Sequence, residues 1–230
     1  MTYDFLPAEQ IKKQFRVLGH FYDVVVGTKR LSCRSSLEIV REELMPVRVD
    51  AAPDALVVMM NPGSSQPLAS VPEEVEHTQF PLTQKKLVAT KPDTTQYQIM
   101  RLMHYCGWDH VRVLNLSDLR EASSASFVEQ YRALEDEHQY TKHSIFCPSR
   151  ERELSESLRR SPDAPIVSAW GTSEKLDPLI RRCTRAIKEH GRFVGLRHAD
   201  GIDRFLHPLP RMQKDKCAWV DGMVKLVRTM

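Results

Sequence analysis

Apolar positions along the chain gather into four short runs separated by stretches of helical periodicity. The runs fall at residues 55–60, 111–116, 165–170 and 192–197. Each has the length of a strand, is rich in β-branched or large apolar side chains and is bounded by turn formers, which predicts four strands. Between them the spacing changes. Ile99, Met100, Leu102, Met103 and Cys106 share one face of a helix predicted over 95–106 and stopped at Gly107. Leu179, Ile180, Cys183, Ala186 and Ile187 mark a second helix, with Asp177 as its cap, Pro178 in its first turn and Gly191 past its end. Further helices are predicted over 127–137, 149–160 and 218–227. Strand–helix–strand alternation predicts an α/β fold, a three-layer α/β/α sandwich around a central four-stranded parallel sheet. The first fifty residues read differently. Residues 8–18 carry a helical pattern, and 21–26 and 29–33 flank Gly27-Thr28 as a hairpin. They are expected to be an N-terminal extension (1–50) of a single domain spanning 1–230, whose core is 55–227. Residues 63–92 are proline-bearing and lack periodicity, which predicts a long loop of the kind that is often functional.

In open parallel sheets ligands bind beyond the carboxyl ends of the strands, and that rule selects residues here. The first run ends in Asn61-Pro62-Gly63-Ser64-Ser65. Asn115 stands near the end of the second, followed by Ser117, Asp118 and Arg120. The third ends in Trp170-Gly171-Thr172. The fourth leads through Arg197 and His198 to Leu206-His207-Pro208-Leu209-Pro210-Arg211. One rim thus gathers two amides, two imidazoles, glycine turns and a proline-stiffened basic loop. Each residue alone has a plainer role: an Asn before Pro-Gly forms turns, either histidine can serve a backbone carbonyl, and Trp170 suits a core. Asn115 is harder to dismiss. A buried amide left unsatisfied costs about 1–3 kcal/mol, so inside an apolar strand it needs a partner from the backbone or from a ligand.

Composition narrows the class. With 41% hydrophobic and 27% charged residues, the 230-residue chain is no collagen, mucin-like stalk or wholly disordered segment. No run approaches the roughly 18 apolar residues of a membrane span, and the start lacks the basic and apolar regions of a secretory signal. The five cysteines lie at least 34 residues apart with no C-x-x-C pair. This implies reduced thiols in a cytosol-like compartment and offers no paired ligands for zinc or an Fe–S cluster. A cytoplasmic monomer without metal or other cofactor is expected. The net charge of +3 is a cancellation: residues 1–165 hold 20 Lys or Arg against 23 Asp or Glu, and residues 166–230 hold 13 against 7. The basic excess lies with the His-Pro loop, where a nucleic-acid ligand would need it.

Taken in order, Asn61-Pro62-Gly63, Asn115, Ala169-Trp170-Gly171 and His207-Pro208-Leu209-Pro210-Arg211 resemble the motifs of the uracil-DNA glycosylase superfamily. The closest resemblance is to single-strand-selective monofunctional uracil-DNA glycosylases, over residues 55–225. The chain also looks like an uncharacterised bacterial and phage family of the same fold. The resemblance implies a uracil-DNA glycosylase-like fold, DNA as partner and release of a flipped-out pyrimidine to leave an abasic site. It gives His207 the role of donor to the developing charge on the base O2. Asn61 falls where the water-positioning residue lies, and Asn115 matches the reader of the base's Watson–Crick edge. An amide offers a donor and an acceptor, so the orientation of Asn115 decides between uracil-like and cytosine-like edges.

Where double-strand-specific relatives place a Tyr that blocks a C5 substituent, this chain has Gly63 and Ser64. That implies room for a C5-modified pyrimidine such as those of phage DNA, and an antiviral defence role. Phe80 is a candidate to stack on the base. Arg211 falls where the last motif places its wedge, with Pro208 and Pro210 stiffening the loop. Lys214, Thr172 and Arg120 are candidate DNA contacts. Two other readings stay open: a module of the same fold that binds a modified base or nucleotide without cleaving it, and a hydrolase of small nucleotides.

Overall fold

A computed structural model describes residues 3–46, 51–69, 73–76, 80, 82, 85–191, 193–199, 201 and 203–230. In chain order its elements are α1 (Ala8–Ile11), β1 (Phe15–Val26), β2 (Lys29–Arg41), β3 (Ala55–Met59), β4 (Gln66–Pro67), β5 (Glu73–Glu76), β6 (Val88–Lys91), α2 (Thr94–Cys106), β7 (His110–Asn115), α3 (Ser124–His138), α4 (Glu151–Ser157), β8 (Ile166–Ser168), α5 (Asp177–Ile187), β9 (Phe193–Val194) and α6 (Gln213–Arg228).

The run predicted as the first strand explains the layering. Along β3, Ala55, Val57 and Met59 point to one apolar core and Leu56 and Val58 to another. Period-two alternation with both faces apolar is what a strand covered on both sides requires. The first core packs against α2 and α6, and the second against α3, α4 and α5. The molecule is therefore α/β, with helices on both faces of a sheet.

That sheet is mixed. Its strand order is β4-β6-β1-β2-β7-β3-β8-β9, with β5 also paired to β1. Pairing is parallel between β3 and β7, β3 and β8, and β8 and β9. It is antiparallel between β1 and β2 and between β2 and β7. The first fifty residues are accordingly no appendage. The hairpin turns at Gly27-Thr28 as expected, but its strands are long and its second strand joins β7 inside the sheet. The helix expected over 8–18 is the single turn α1, because Phe15 and Val17 already alternate into the core as part of β1.

The long loop contributes short strands β4, β5 and β6. The fourth apolar run shrinks to β9, its first residue, Arg192, lying outside the described residues. The helix at 149–160 is α4, preceded by a 3₁₀ turn at Pro148–Arg150. The helix predicted over 218–227 starts earlier, at Gln213. Two helix ends show their chemistry. Asp93 caps α2 in a reciprocal capping box with Gln96, and Gly107 closes it at φ +71° in the left-handed region that an L side chain adopts at a cost. In α5, Pro178 sits in the first turn as expected, but Leu176 rather than Asp177 occupies the cap position.

Candidate functional site

Beyond the carboxyl ends of β3 and β8 lies a cleft of about 420 Å³. Its walls come from Met59 to Gly63 after β3, Asp93 and Thr95 at the start of α2, Ala122 and Ser124 before and at the start of α3, Trp170 to Ser173 after β8, and His207 and Leu209 from the His-Pro loop. Of the residues selected from sequence, Asn61, Gly63, Thr172 and His207 come together here.

The chemistry of His207 is fixed by its neighbour. The backbone N–H of Leu209 donates to Nδ1 at 3.2 Å. An amide N–H can only donate, so Nδ1 carries no proton and, in the neutral ring, Nε2 carries it. Burial, which disfavours the charged form, lowers the imidazole pKa to about 4. The cleft thus presents a neutral N–H donor at neutral pH.

Asn61 is oriented by the same logic. Its Nδ2 donates to the carbonyl oxygens of Leu119, at 3.3 Å, and Glu121, at 2.6 Å. Both partners accept only, so the amide turns its NH₂ toward them and keeps Oδ1 as an acceptor. Beside it Gly63 adopts φ +64°, and a Cβ there would stand 3.3 Å from Oδ2 of Asp93. Glycine is required by the backbone, and it lets the turn lie against that carboxylate. Asp93 uses only Oδ1 for capping, accepting from Thr95 N and Gln96 N at 2.9 and 3.0 Å. It is an acidic residue of the cleft wall, and sequence reasoning missed it. The signal was present: Asp93-x-x-Gln96 ahead of a helical stripe is a capping box, which announces a cap but not the cleft that the cap faces.

Other selected residues sit elsewhere. Asn115 is 1% exposed and lies behind the wall as the strand partner of Met59, its Oδ1 accepting from Arg34 Nη2 at 3.0 Å. Ser64 is exposed at the turn and does not line the cleft. Phe80 packs edge-on to Tyr22 and beneath the guanidinium of Arg150, 4.9 Å from its ring centre, away from the cleft. That position follows from a buried polar cluster in which Arg150 meets Asp118 at 2.7 Å and Glu153 at 2.7 and 2.9 Å, with Tyr22 donating to Asp118 at 2.8 Å. Arg120 donates to the carbonyl of Ser65 at 3.0 Å and lies over the Phe21 ring.

In the His-Pro loop, Pro208 is buried and its carbonyl accepts from Gln98 at 2.9 Å. Pro210 lines a second, more apolar cavity of about 390 Å³ that shares His207 with the cleft and extends to Trp219 of α6. Arg211 and Lys214 are exposed where the loop runs into α6. All five cysteines are free thiols. Among the described residues no group of three or more His, Cys, Asp or Glu is arranged to hold a metal, and no helix is long and apolar enough to cross a membrane. No family model, curated protein or solved structure matches the chain.

Proposed function

We propose that this protein is a monofunctional DNA glycosylase that takes a pyrimidine out of the stack and hydrolyses its N-glycosidic bond, leaving an abasic site. The observation that carries the reading is the cleft itself. A neutral Nε2–H donor on His207, an acceptor on Asn61 and a carboxylate on Asp93 share one cavity at the strand ends. In the proposed reaction the bond from the sugar C1′ to the base N1 breaks and its electron pair leaves with the base. His207 donates a hydrogen bond to the charge that builds on the base O2, the role of an oxyanion-hole donor. A water whose hydrogen bonds to Asn61 Oδ1 attacks C1′, and its proton passes to Asp93 or to solvent. Among the described residues no lysine lines the cleft, which fits hydrolysis rather than lyase chemistry through a Schiff base.

The order of the parallel strands and the four motifs at their ends support the uracil-DNA glycosylase-like version of this fold. The slim Gly63 turn supports acceptance of a C5 substituent and hence a modified pyrimidine, with phage DNA as one source and defence as the setting. The alternative is a binding module with the same cleft. Incubating the protein with oligonucleotides bearing uracil or C5-modified bases distinguishes the two. Alkali-labile abasic product that disappears in Asn61→Ala and His207→Ala is expected from the glycosylase. Tight binding with no product identifies the module.

A further inference from the structure

A groove of about 590 Å³ runs between α4 and α5, away from the strand-end cleft. Among the described residues the two share no lining side chain. The floor of the groove is apolar. Phe146 and Leu154 are buried members of the core on that side of the sheet, and Ala186 packs against it. The α5 side is cationic, with Arg181, Arg182 and Arg185 lining it, and Glu151 comes from the first turn of α4.

The three arginines are not equivalent. Arg182 is held by Glu135, donating from Nη1 and Nη2 at 2.7 and 3.0 Å. Arg181 and Arg185 are exposed, and among the described residues neither side chain makes a hydrogen bond or an ion pair. They stand four residues apart, so two like charges lie side by side on one helix face, which destabilises a helix. A solvated face would account for the charge alone. It would not account for two free guanidiniums bordering an apolar concavity. A guanidinium is weakly hydrated and its fork matches a carboxylate, so arginine beside apolar surface suits an ion pair made on association.

Spacing narrows the ligand. Arg181 and Arg185 are separated by a rise of about 6 Å along α5. In an extended peptide, alternate side chains stand about 6.6–6.8 Å apart on one face, and the one between them points the other way. Two acidic side chains facing α5 therefore send the intervening one across the groove, toward Phe146 and Leu154. We propose that this groove docks an extended segment of a partner protein with an acidic–apolar–acidic pattern. Its carboxylates meet Arg181 and Arg185, and a Leu-like side chain covers the apolar floor. A nucleic-acid strand fits less well. Its phosphates gain nothing from an apolar floor and face the Glu151 carboxylate, and no exposed aromatic ring in the described lining can stack a base. The proposal stands apart from the glycosylase reading, since the cleft takes no part in it.

The test titrates the full chain, at low salt, into rhodamine-labelled peptides and reads fluorescence anisotropy. The probe carries Glu-Leu-Glu between Gly-Ser flanks, and two controls replace Leu by Ser or both Glu by Gln. Each control is expected to bind about 10-fold more weakly than the probe. Arg181→Ala/Arg185→Ala is expected to weaken the probe by about 10-fold. Its Tm is expected to match wild type, because neither side chain has a partner to lose. Affinity for a short oligothymidine strand is expected to be the same in both proteins. No probe binding at about 1 mM protein, equal binding of the probe and either control, equal binding by wild type and the double variant, or a lowered Tm overturns the proposal. A loss of oligothymidine affinity as large as the loss for the probe makes the groove a nucleic-acid surface and overturns it too.

Discussion

His207 shows how one backbone contact sets a side chain's chemistry. Leu209 N–H fixes the tautomer, and burial pulls the pKa to about 4. The sign of the pH effect follows. Between pH 4 and the ordinary histidine value the unfolded chain binds a proton that the folded chain refuses, so this group costs stability as pH falls through that window and nothing above it. NMR titration of the ring is expected to give a midpoint near 4, with Nε2 protonated above it; a midpoint at 6 or higher contradicts the assignment. His207→Ala is expected to slow base release by about 10²–10³-fold, in line with loss of one oxyanion donor.

Arg150 makes the opposite case, a buried cation kept for stability. Its removal in Arg150→Met strands the Asp118 carboxylate in the core and leaves Glu153 to Lys85 alone among cations, and urea unfolding is expected to show a loss of about 3–5 kcal/mol. A loss under 1 kcal/mol contradicts that role. At this scale the sequence was half legible. The need of Asn115 for a partner could be read from a polar residue inside an apolar strand. The identity of the partner could not, because Arg34 lies 81 residues away and reaches it through strand pairing.

Among the elements, α2 joins structure to chemistry through its cap. Asp93 holds the first turn with Oδ1 and shows its carboxylate to the cleft. Substituting Asn or Ser preserves a capping oxygen, so Tm should hold, whereas Ala should cost about 0.5–2 kcal/mol. If Asp93 takes the proton from water, Asp93→Asn keeps the fold and loses about 10²-fold or more in single-turnover rate. A rate equal to wild type in Asp93→Asn leaves the residue as a cap alone. Elements with a single clean period were readable: the continuous apolar runs of β3, β7 and β8, and the stripes of α2 and α5. The N-terminal strands were not. Arg34, Ser35, Ser36 and Glu38 are buried polar residues that interrupt the apolar pattern of β2, and the bulge at Ser35 breaks its alternation. Short α1 followed directly by β1 mimics one longer amphipathic helix.

At the scale of the molecule, the sheet order decides what the strand ends can share. Inserting the β1–β2 hairpin next to β7 widens the sheet on one side and brings Arg34 to Asn115. The charge split matches this arrangement, since the basic segment 166–230 supplies the Trp-Gly turn and the His-Pro loop that border the cleft. If that segment holds phosphates, log K for DNA falls linearly with log salt, with a slope of about −3 or steeper for four contacts. A flat salt dependence contradicts DNA as the partner. Arg211→Ala is expected to weaken duplex substrates more than single strands if the exposed side chain fills the gap left by a flipped base; an equal effect on both makes it a phosphate contact only.

In the proposed function the cleft cleaves an N-glycosidic bond. The most direct measurement is mass-spectrometric detection of free base and abasic DNA after incubating pure protein with a panel of uracil-bearing and C5-modified oligonucleotides. Wild type is expected to release a pyrimidine, and His207→Ala and Asn61→Ala to release none. Intact DNA across the whole panel, with wild type folded and bound to it, contradicts the account.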